Sequence, residues 1–306
     1  MNIRGVHIDD TFAEAFPMRA ARLIVTARSE RWVRECASKL TGFATSVIGC
    51  KCEAGIERFL SSDETPDGRP GCAVLFMTMG KQDLPKRLAE RVGQTVLTCP
   101  TAACFDGLPE AADRVPLGRW LRFYGDGFQA SKVIGSRRYW RVPVMEEEFL
   151  VEDDVGMMKS IGGGNFLILA ESADAALDAA EAAVAAMEPL PEIILPFPGG
   201  IVRSGSKVGS RRYRKLIAST SDAYCPNLRP VTASELPENV NSVLEIVIDG
   251  LSVDAVARGM KVGIDAACRP GVVAITAGNY GGKLGPHHFR LHAILAGDGG
   301  TAGGAA

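Results

Sequence analysis

Two hydrophobic periods alternate along the chain, and they switch in the same order twice. The apolar run Leu23-Ile24-Val25 leads into Val33, Cys36, Ala37 and Leu40, the i, i+3, i+4, i+7 spacing of one helix face. Ser29 is placed to cap that helix and Gly42 to end it. The run Phe166-Leu167-Ile168 leads likewise into Leu177, Ala180, Val184 and Met187, with Ser172 at the cap position, Asp174, Asp178 and Glu181 on the opposite face, and Pro189 as the stop. Strands are expected next, at 45–48 and at 193–195. A second strand–helix–strand unit then follows in each half. The first reads Val74-Leu75-Phe76-Met77, a helix through Leu84, Leu88 and Val92 capped by Asp83, and a strand at 95–98. The second reads 243–248, a helix through Val253, Val256, Met260, Ile264 and Ala267 capped by Ser252, and a strand at 272–276.

The copies hold a constant offset of 143 residues in their first part (Asp10 to Asp153, Leu23 to Phe166) and 170 in their second (Gly80 to Gly250, Gly93 to Gly263). Each half therefore reads β-α-β-β-α-β, the split βαβ order. The expected class is α+β: two similar ferredoxin-like α/β-sandwich lobes produced by internal duplication, against the alternative of two unrelated α+β domains. The N-terminal lobe is expected at 1–147 and the C-terminal lobe at 148–296, with hairpins over 122–152 between the halves. A Gly/Ala-rich tail, 297–306, is expected to be disordered. Two helices cover only one sheet face, so an oligomer is expected.

Composition narrows the classes. The chain has 306 residues, 46% hydrophobic and 23% charged, with a formal net charge of −2, so nothing draws it electrostatically to nucleic acid. No apolar run reaches membrane-spanning length, and the opening MNIRGVHIDD lacks the apolar core of a secretion signal. A cytoplasmic protein with reduced thiols is expected. Among its eight cysteines, Cys50-x-Cys52 and Cys99-x4-Cys104 invite a metal reading. With only four histidines to complete paired ligand sets, buried free thiols are the favoured reading and no metal is expected.

The repeat also exposes a residue that breaks its pattern. At the second offset Leu75 falls on Glu245, inside Val243-Leu244-Glu245-Ile246-Val247-Ile248. A carboxylate in such a strand is either buried, with a raised pKa suited to proton transfer, or exposed on a strand facing solvent. Loops rich in Gly, Ser and Pro surround the repeat at 65–71, 161–165, 196–200, 205–210 and 278–285. Each alone reads as turn chemistry; together they suggest an extended polar cleft for a long substrate. The cluster Ser219–Pro226 offers Cys225 as a nucleophile without a histidine near it in sequence. The run Arg211-Arg212-Tyr213-Arg214-Lys215 is a solvated face or an attractor for an acidic substrate tail.

Several long segments, among them 10–16, 41–48, 64–71, 163–166, 196–202, 206–210, 219–226 and 278–285, resemble the formylmethanofuran–tetrahydromethanopterin formyltransferase family in sequence and order. The resemblance runs from about Ile3 to His292 and is to the form found in methylotrophic bacteria. It implies formyl transfer between N5 of a tetrahydromethanopterin-type pterin and the amine of methanofuran or a methanofuran-like carrier, in one-carbon metabolism. Both carriers would be substrates, with no bound cofactor. It places the catalytic carboxylate on Glu245, and through the loops it places substrate binding on Gly163, Gly164, Asn165, Pro198, Gly199, Gly200, Ser206, Lys207, Ser221, Asp222, Tyr224, Asn279 and Lys283. It implies a homo-oligomer, as in archaeal relatives, or a subunit of a formyltransferase/hydrolase complex. Two rivals remain at this point: a hydrolase releasing formate, and a non-catalytic carrier-binding or scaffold subunit.

Overall fold

The computed structural model describes residues 1–297; the tail expected to be disordered lies, from 298 on, outside the described residues. Two compact units emerge, Met18–Ser160 and a second that joins Met1–Pro17 to the chain from Ile161 onward. Each holds one copy of the β-α-β-β-α-β order.

In the Met18–Ser160 unit, strand Gly71–Thr78 lies between Glu53–Leu60 and the end of Phe12–Thr26, which pairs on its other side with Ala103–Asp106; all three pairings are antiparallel. That order is the ferredoxin-like one expected from the repeat. Helices Glu30–Thr41 and Asp83–Arg91 bury Val33, Cys36, Ala37, Leu40, Leu84 and Leu88 against Leu23, Val25, Val74 and Phe76. The hairpins expected to join the halves instead lengthen this sheet: Glu148–Glu152 pairs parallel with Ala103–Asp106 and antiparallel with Arg137–Pro143, which pairs with Ala130–Ile134.

Two expected strands of this unit are helical. Residues 45–48 enter the short helix Val47–Cys50, where the Ser46 hydroxyl accepts the Ile48 N–H and Lys51 turns left-handed to end it. The strand lies further on, at Glu53–Leu60, where it finds the long antiparallel partner Gly71–Thr78. Residues 95–98 continue the preceding helix through a wide turn at Val92–Val96. There the Thr95 and Thr98 hydroxyls bond back to the carbonyls of Arg91 and Gln94 at 2.7 and 2.9 Å, a local alternative to a ladder that Thr side chains provide. The strand is Ala103–Asp106. Ser29 and Asp83 do not cap by side chain as expected: Ser29 makes no such bond and Gln82 holds the second cap position.

In the other unit, strand Ser242–Gly250 lies between Ile193–Ile194 and the Ile161–Ala170 stretch of Val155–Ala170, which pairs on its far side with Val272–Thr276. The N-terminal strand Val6–Ile8 joins Val272–Thr276 in parallel. Helices Ala173–Met187 and Val253–Ala267 begin at Ser172 and Ser252, whose hydroxyls accept the N–H groups of Ala175 and Ala255 at 3.2 and 3.1 Å. The buried stripe of the first helix is Ala176, Ala179, Ala180, Ala183 and Met187. Leu177, expected in the core, is exposed. Small residues let this helix sit close to its neighbour, as Gly263 also does: a Cβ there would come within 2.8 Å of the Met187 sulfur. Among the described residues no helix is long and apolar enough to cross a membrane.

Candidate active site

Glu245 occupies the middle of strand Ser242–Gly250. On one side its backbone pairs with Leu167. On the other it exchanges both hydrogen bonds with Val202, at 2.8 and 2.9 Å. Leu167 in turn pairs with Thr276. Residues opposite one another in antiparallel ladders point to the same face, so Thr276, Leu167, Glu245 and Val202 form one row. Ile246, Ile248, Phe166 and Ile168 face the other way, into the core under the two helices. Leu167 of the row packs with Leu169, Leu236, Val240 and Ala274 as an apolar cluster distinct from that core.

The Glu245 carboxyl is half-buried in this surface, and burial pushes its pKa up to about 7, since loss of water disfavours the charged form. Among the described residues no hydrogen bond or ion pair to the carboxylate offsets that cost. The group can therefore both take and give a proton near neutral pH. Burial raises the pKa of the Tyr280 phenol, and the charge on Glu245 raises it further, so the phenol stays a protonated donor.

Tyr280 opens a glycine loop that a single buried carboxylate organises. Glu14, 1% exposed, accepts the backbone N–H groups of Tyr280, Gly282 and Gly285 at 2.7, 2.9 and 2.5 Å, and that of Leu284. Burial pushes its pKa up, but the N–H groups of Gly285, Tyr280, Leu284 and Gly282 outweigh burial and hold it below the usual carboxylate range. The sequence gives Glu14 no local mark, because it alternates with Ala13 and Ala15 as an outward-facing strand residue would, and its partners lie more than 260 positions away.

The expected binding residues divide by place. Asn165 is buried; its side-chain amide donates to the carbonyls of Gly163 and Gly278 at 3.0 and 3.1 Å and accepts the Gly278 N–H at 2.6 Å. Asn279 ties the same loop to Thr11 and Phe12, and Lys283 projects from it, exposed. Pro198–Gly200 is a tight turn with Gly199 and Gly200 at φ 62° and 76°, and it delivers Val202 to Glu245. Lys207 forms an ion pair with Asp222 that holds the Asp222 carboxyl below its usual range. The Ser221 carbonyl accepts the Tyr224 N–H at 3.0 Å. Burial raises the Tyr224 pKa, and its bond to Glu235 raises it further. With Leu169 and Thr276, Tyr224 and Glu235 line a cavity of about 600 Å³ on the sheet face that carries Glu245.

Gly163 stays with this group through its bond from Asn165, whereas Gly164 turns away from it. Gly163, at φ 90°, donates its N–H to Asp249 at 2.9 Å. Gly164 points at helix Val253–Ala267, on the opposite face from Glu245; a Cβ there would stand 2.3 Å from a Val256 methyl. The structure thus gives Gly164 a packing role. All eight cysteines are free thiols, and among the described residues no three His, Cys, Asp or Glu side chains cluster as metal ligands would.

Known proteins match this chain along nearly its whole length. Residues 1–144 fit the family model for formylmethanofuran-tetrahydromethanopterin formyltransferase, and 147–294 fit the model of its proximal lobe. The formyltransferases of Methylococcus capsulatus and Methylobacillus flagellatus are each 58% identical over 97% of this chain and all of their own length. The crystal structure of the Methanosarcina barkeri enzyme superposes with a TM-score of 0.92 at 49% identity, covering 96% of this chain and 100% of that one. A chain of the Methylorubrum extorquens formyltransferase/hydrolase complex, solved with methylofuran, superposes at 0.93 with 48% identity, covering 96% and 98%. On these matches the chain belongs to the formylmethanofuran–tetrahydromethanopterin formyltransferase family.

Proposed function

We propose that this enzyme moves a formyl group between N5 of a tetrahydromethanopterin-type pterin and the amine of methanofuran or a methanofuran-like carrier, with Glu245 as its acid/base residue. Membership of the family makes it a formyltransferase. The assignment of Glu245 rests on one observation: a carboxyl in the middle of a sheet whose burial pushes its pKa up to about 7.

In the transfer, the carrier amine attacks the formyl carbon and the carbonyl π electrons move onto oxygen. The attacking nitrogen must lose a proton, and the departing nitrogen must gain one as its bond to carbon breaks. A carboxylate with a pKa near 7 takes the first proton and returns it in the second step, so no net proton is consumed. The protonated Tyr280 phenol, near enough for the Glu245 charge to raise its pKa, is assigned as a hydrogen-bond donor to the reacting group. Backbone N–H groups of the 278–285 loop not already used by Glu14 are of the type that stabilises an oxyanion. Holding both carriers in one cleft supplies much of the remaining acceleration. The contacts to the carriers are assigned to Asn165, Pro198, Gly199, Gly200, Ser206, Lys207, Ser221, Asp222, Tyr224, Asn279 and Lys283. Gly163 and Gly164 support the sheet that carries Glu245.

The likeness to the Methylorubrum extorquens complex supports a place as a subunit of a formyltransferase/hydrolase assembly; the alternative of a homo-oligomer, the cytoplasm and the direction of formaldehyde oxidation are assigned from the family resemblance. We keep the functional division into lobes 1–147 and 148–296, which the break between the two family models supports. The purified enzyme, mixed with formyl-tetrahydromethanopterin and a methanofuran-type amine, should transfer the formyl group to the amine. Release of free formate without formylation of the amine would overturn the reading.

A further inference from the structure

We propose that Glu14 is a positioning residue for formyl transfer: its buried carboxylate holds the 280–285 loop so that the Tyr280 phenol stays beside Glu245. The inference rests on the reading of Glu245 given above and extends it to a residue about 230 positions away in the chain.

The geometry is that of a clamp. One carboxylate oxygen accepts the N–H groups of Leu284 and Gly285, and the other those of Tyr280 and Gly282. Four acceptor sites on two oxygens are what an ionised carboxylate has and what no neutral side chain of that size supplies. The clamp sits on a fixed base, because Glu14 pairs with His288 in the ladder between Phe12–Thr26 and His287–Arg290. Gly285 presses on that base so closely that a Cβ would lie 2.3 Å from the Ala15 carbonyl oxygen. The loop so held begins with Tyr280, whose ring stands 6.4 Å from Phe16. Gly278, two residues before it, is bonded to Asn165 at 2.6 and 3.1 Å, and Asn165 pairs with Val247, two residues along the strand from Glu245, near enough for the Glu245 charge to act on the phenol. Bonds from charged acceptors to backbone N–H groups are about twice as strong as neutral ones, so the clamp sets where the phenol is, and the phenol sets what the reacting group meets.

Four forms of the intact enzyme test this: wild type, Glu14→Gln, Tyr280→Phe and the double variant, each assayed for kcat, for KM of both carriers, and for thermal melting. Glu14→Gln keeps the size but loses at least two of the four bonds. It should lower kcat about 10- to 100-fold, the scale of a misplacement near 1 Å, with KM little changed. Tyr280→Phe should lower kcat as well, and the double variant should be no slower than Tyr280→Phe alone, because Glu14 acts through Tyr280. If the two losses multiply, or if Glu14→Gln lowers only the melting temperature, the proposal is wrong. Should Glu14→Gln fail to fold, Gly282→Ala bends the same loop, with φ 70° and a Cβ 3.0 Å from the His288 ring, and must show the same non-additivity with Tyr280→Phe. Glu245→Gln is assayed alongside. If it stays fully active, the acid/base reading fails, while the coupling between Glu14 and Tyr280 is still read from its own cycle.

Discussion

Val202 exchanges both of its backbone hydrogen bonds with Glu245, at 2.8 and 2.9 Å. That pairing decides between the two readings a carboxylate in this strand allows. Without it the Ser242–Gly250 strand would have an open edge at Glu245 and the side chain could turn to water. With it, Glu245 has neighbours on both sides, and its carboxyl stays in a partly dry surface that pushes its pKa up to about 7. The turn Pro198–Gly200, which needs left-handed backbone at Gly199 and Gly200, is what sends the chain back to make the pairing.

A raised pKa carries a cost in stability that pH should reveal. Glu245 titrates near 7 when folded and near 4.3 in an unfolded chain, so between these values the folded state binds the extra proton. The stability from this group is complete below about pH 4 and declines as pH rises through 7. Glu245→Gln should therefore melt higher than wild type at pH 8 and level with it near pH 4. Melting curves across that range check the sign; a constant difference at all pH values would contradict it.

Gly164 is required by packing. Gly164→Ala would place a methyl 2.3 Å from Val256 and should cost about 1–3 kcal/mol through overpacking, read in a denaturant titration. Activity per folded molecule should hold, because the clash lies on the helix side of the sheet.

Asn165 joins two elements of the site. Asn165→Ala would remove three hydrogen bonds and strand the N–H of Gly278, while the Gly278 carbonyl keeps the Glu14 N–H at 3.3 Å, at a cost of about 1–3 kcal/mol for the group left unpaired. Since Gly278 leads into the loop that carries Tyr280, turnover should fall together with melting temperature. A loss in stability alone would show that the loop is held without Asn165.

Most of the architecture was legible because the repeat doubles each signal. Two copies of strand, helix, strand at matched offsets specify the split βαβ order even where one copy is ambiguous. What failed were short β-branched runs. Thr45-Ser46-Val47-Ile48 and Thr95-Val96-Leu97-Thr98 have strand composition, yet side-chain hydroxyls satisfy the backbone locally, and the sheet partners lie elsewhere. In the helix Ala173–Met187 the expected face holds at Ala180, Val184 and Met187, but Leu177 is exposed and Ala176, Ala179 and Ala183 fill the core, because close helix approach favours alanine. Glu245 stood out because its counterpart Leu75 is fully buried in its own sheet. Glu14 could not stand out: its role exists only once the 280–285 loop folds over it, and no local pattern encodes a contact across so much of the chain.

If Glu245 carries the proton during formyl transfer, a single isosteric variant separates that role from a structural one. Glu245→Gln keeps the shape of the side chain and removes its titration. The variant should keep an intact fold and near-normal KM for both carriers, with kcat lower by about 10²–10⁴-fold in the transfer from formyl-tetrahydromethanopterin to a methanofuran-type amine. A Gln variant that turns over at the wild-type rate would contradict that role.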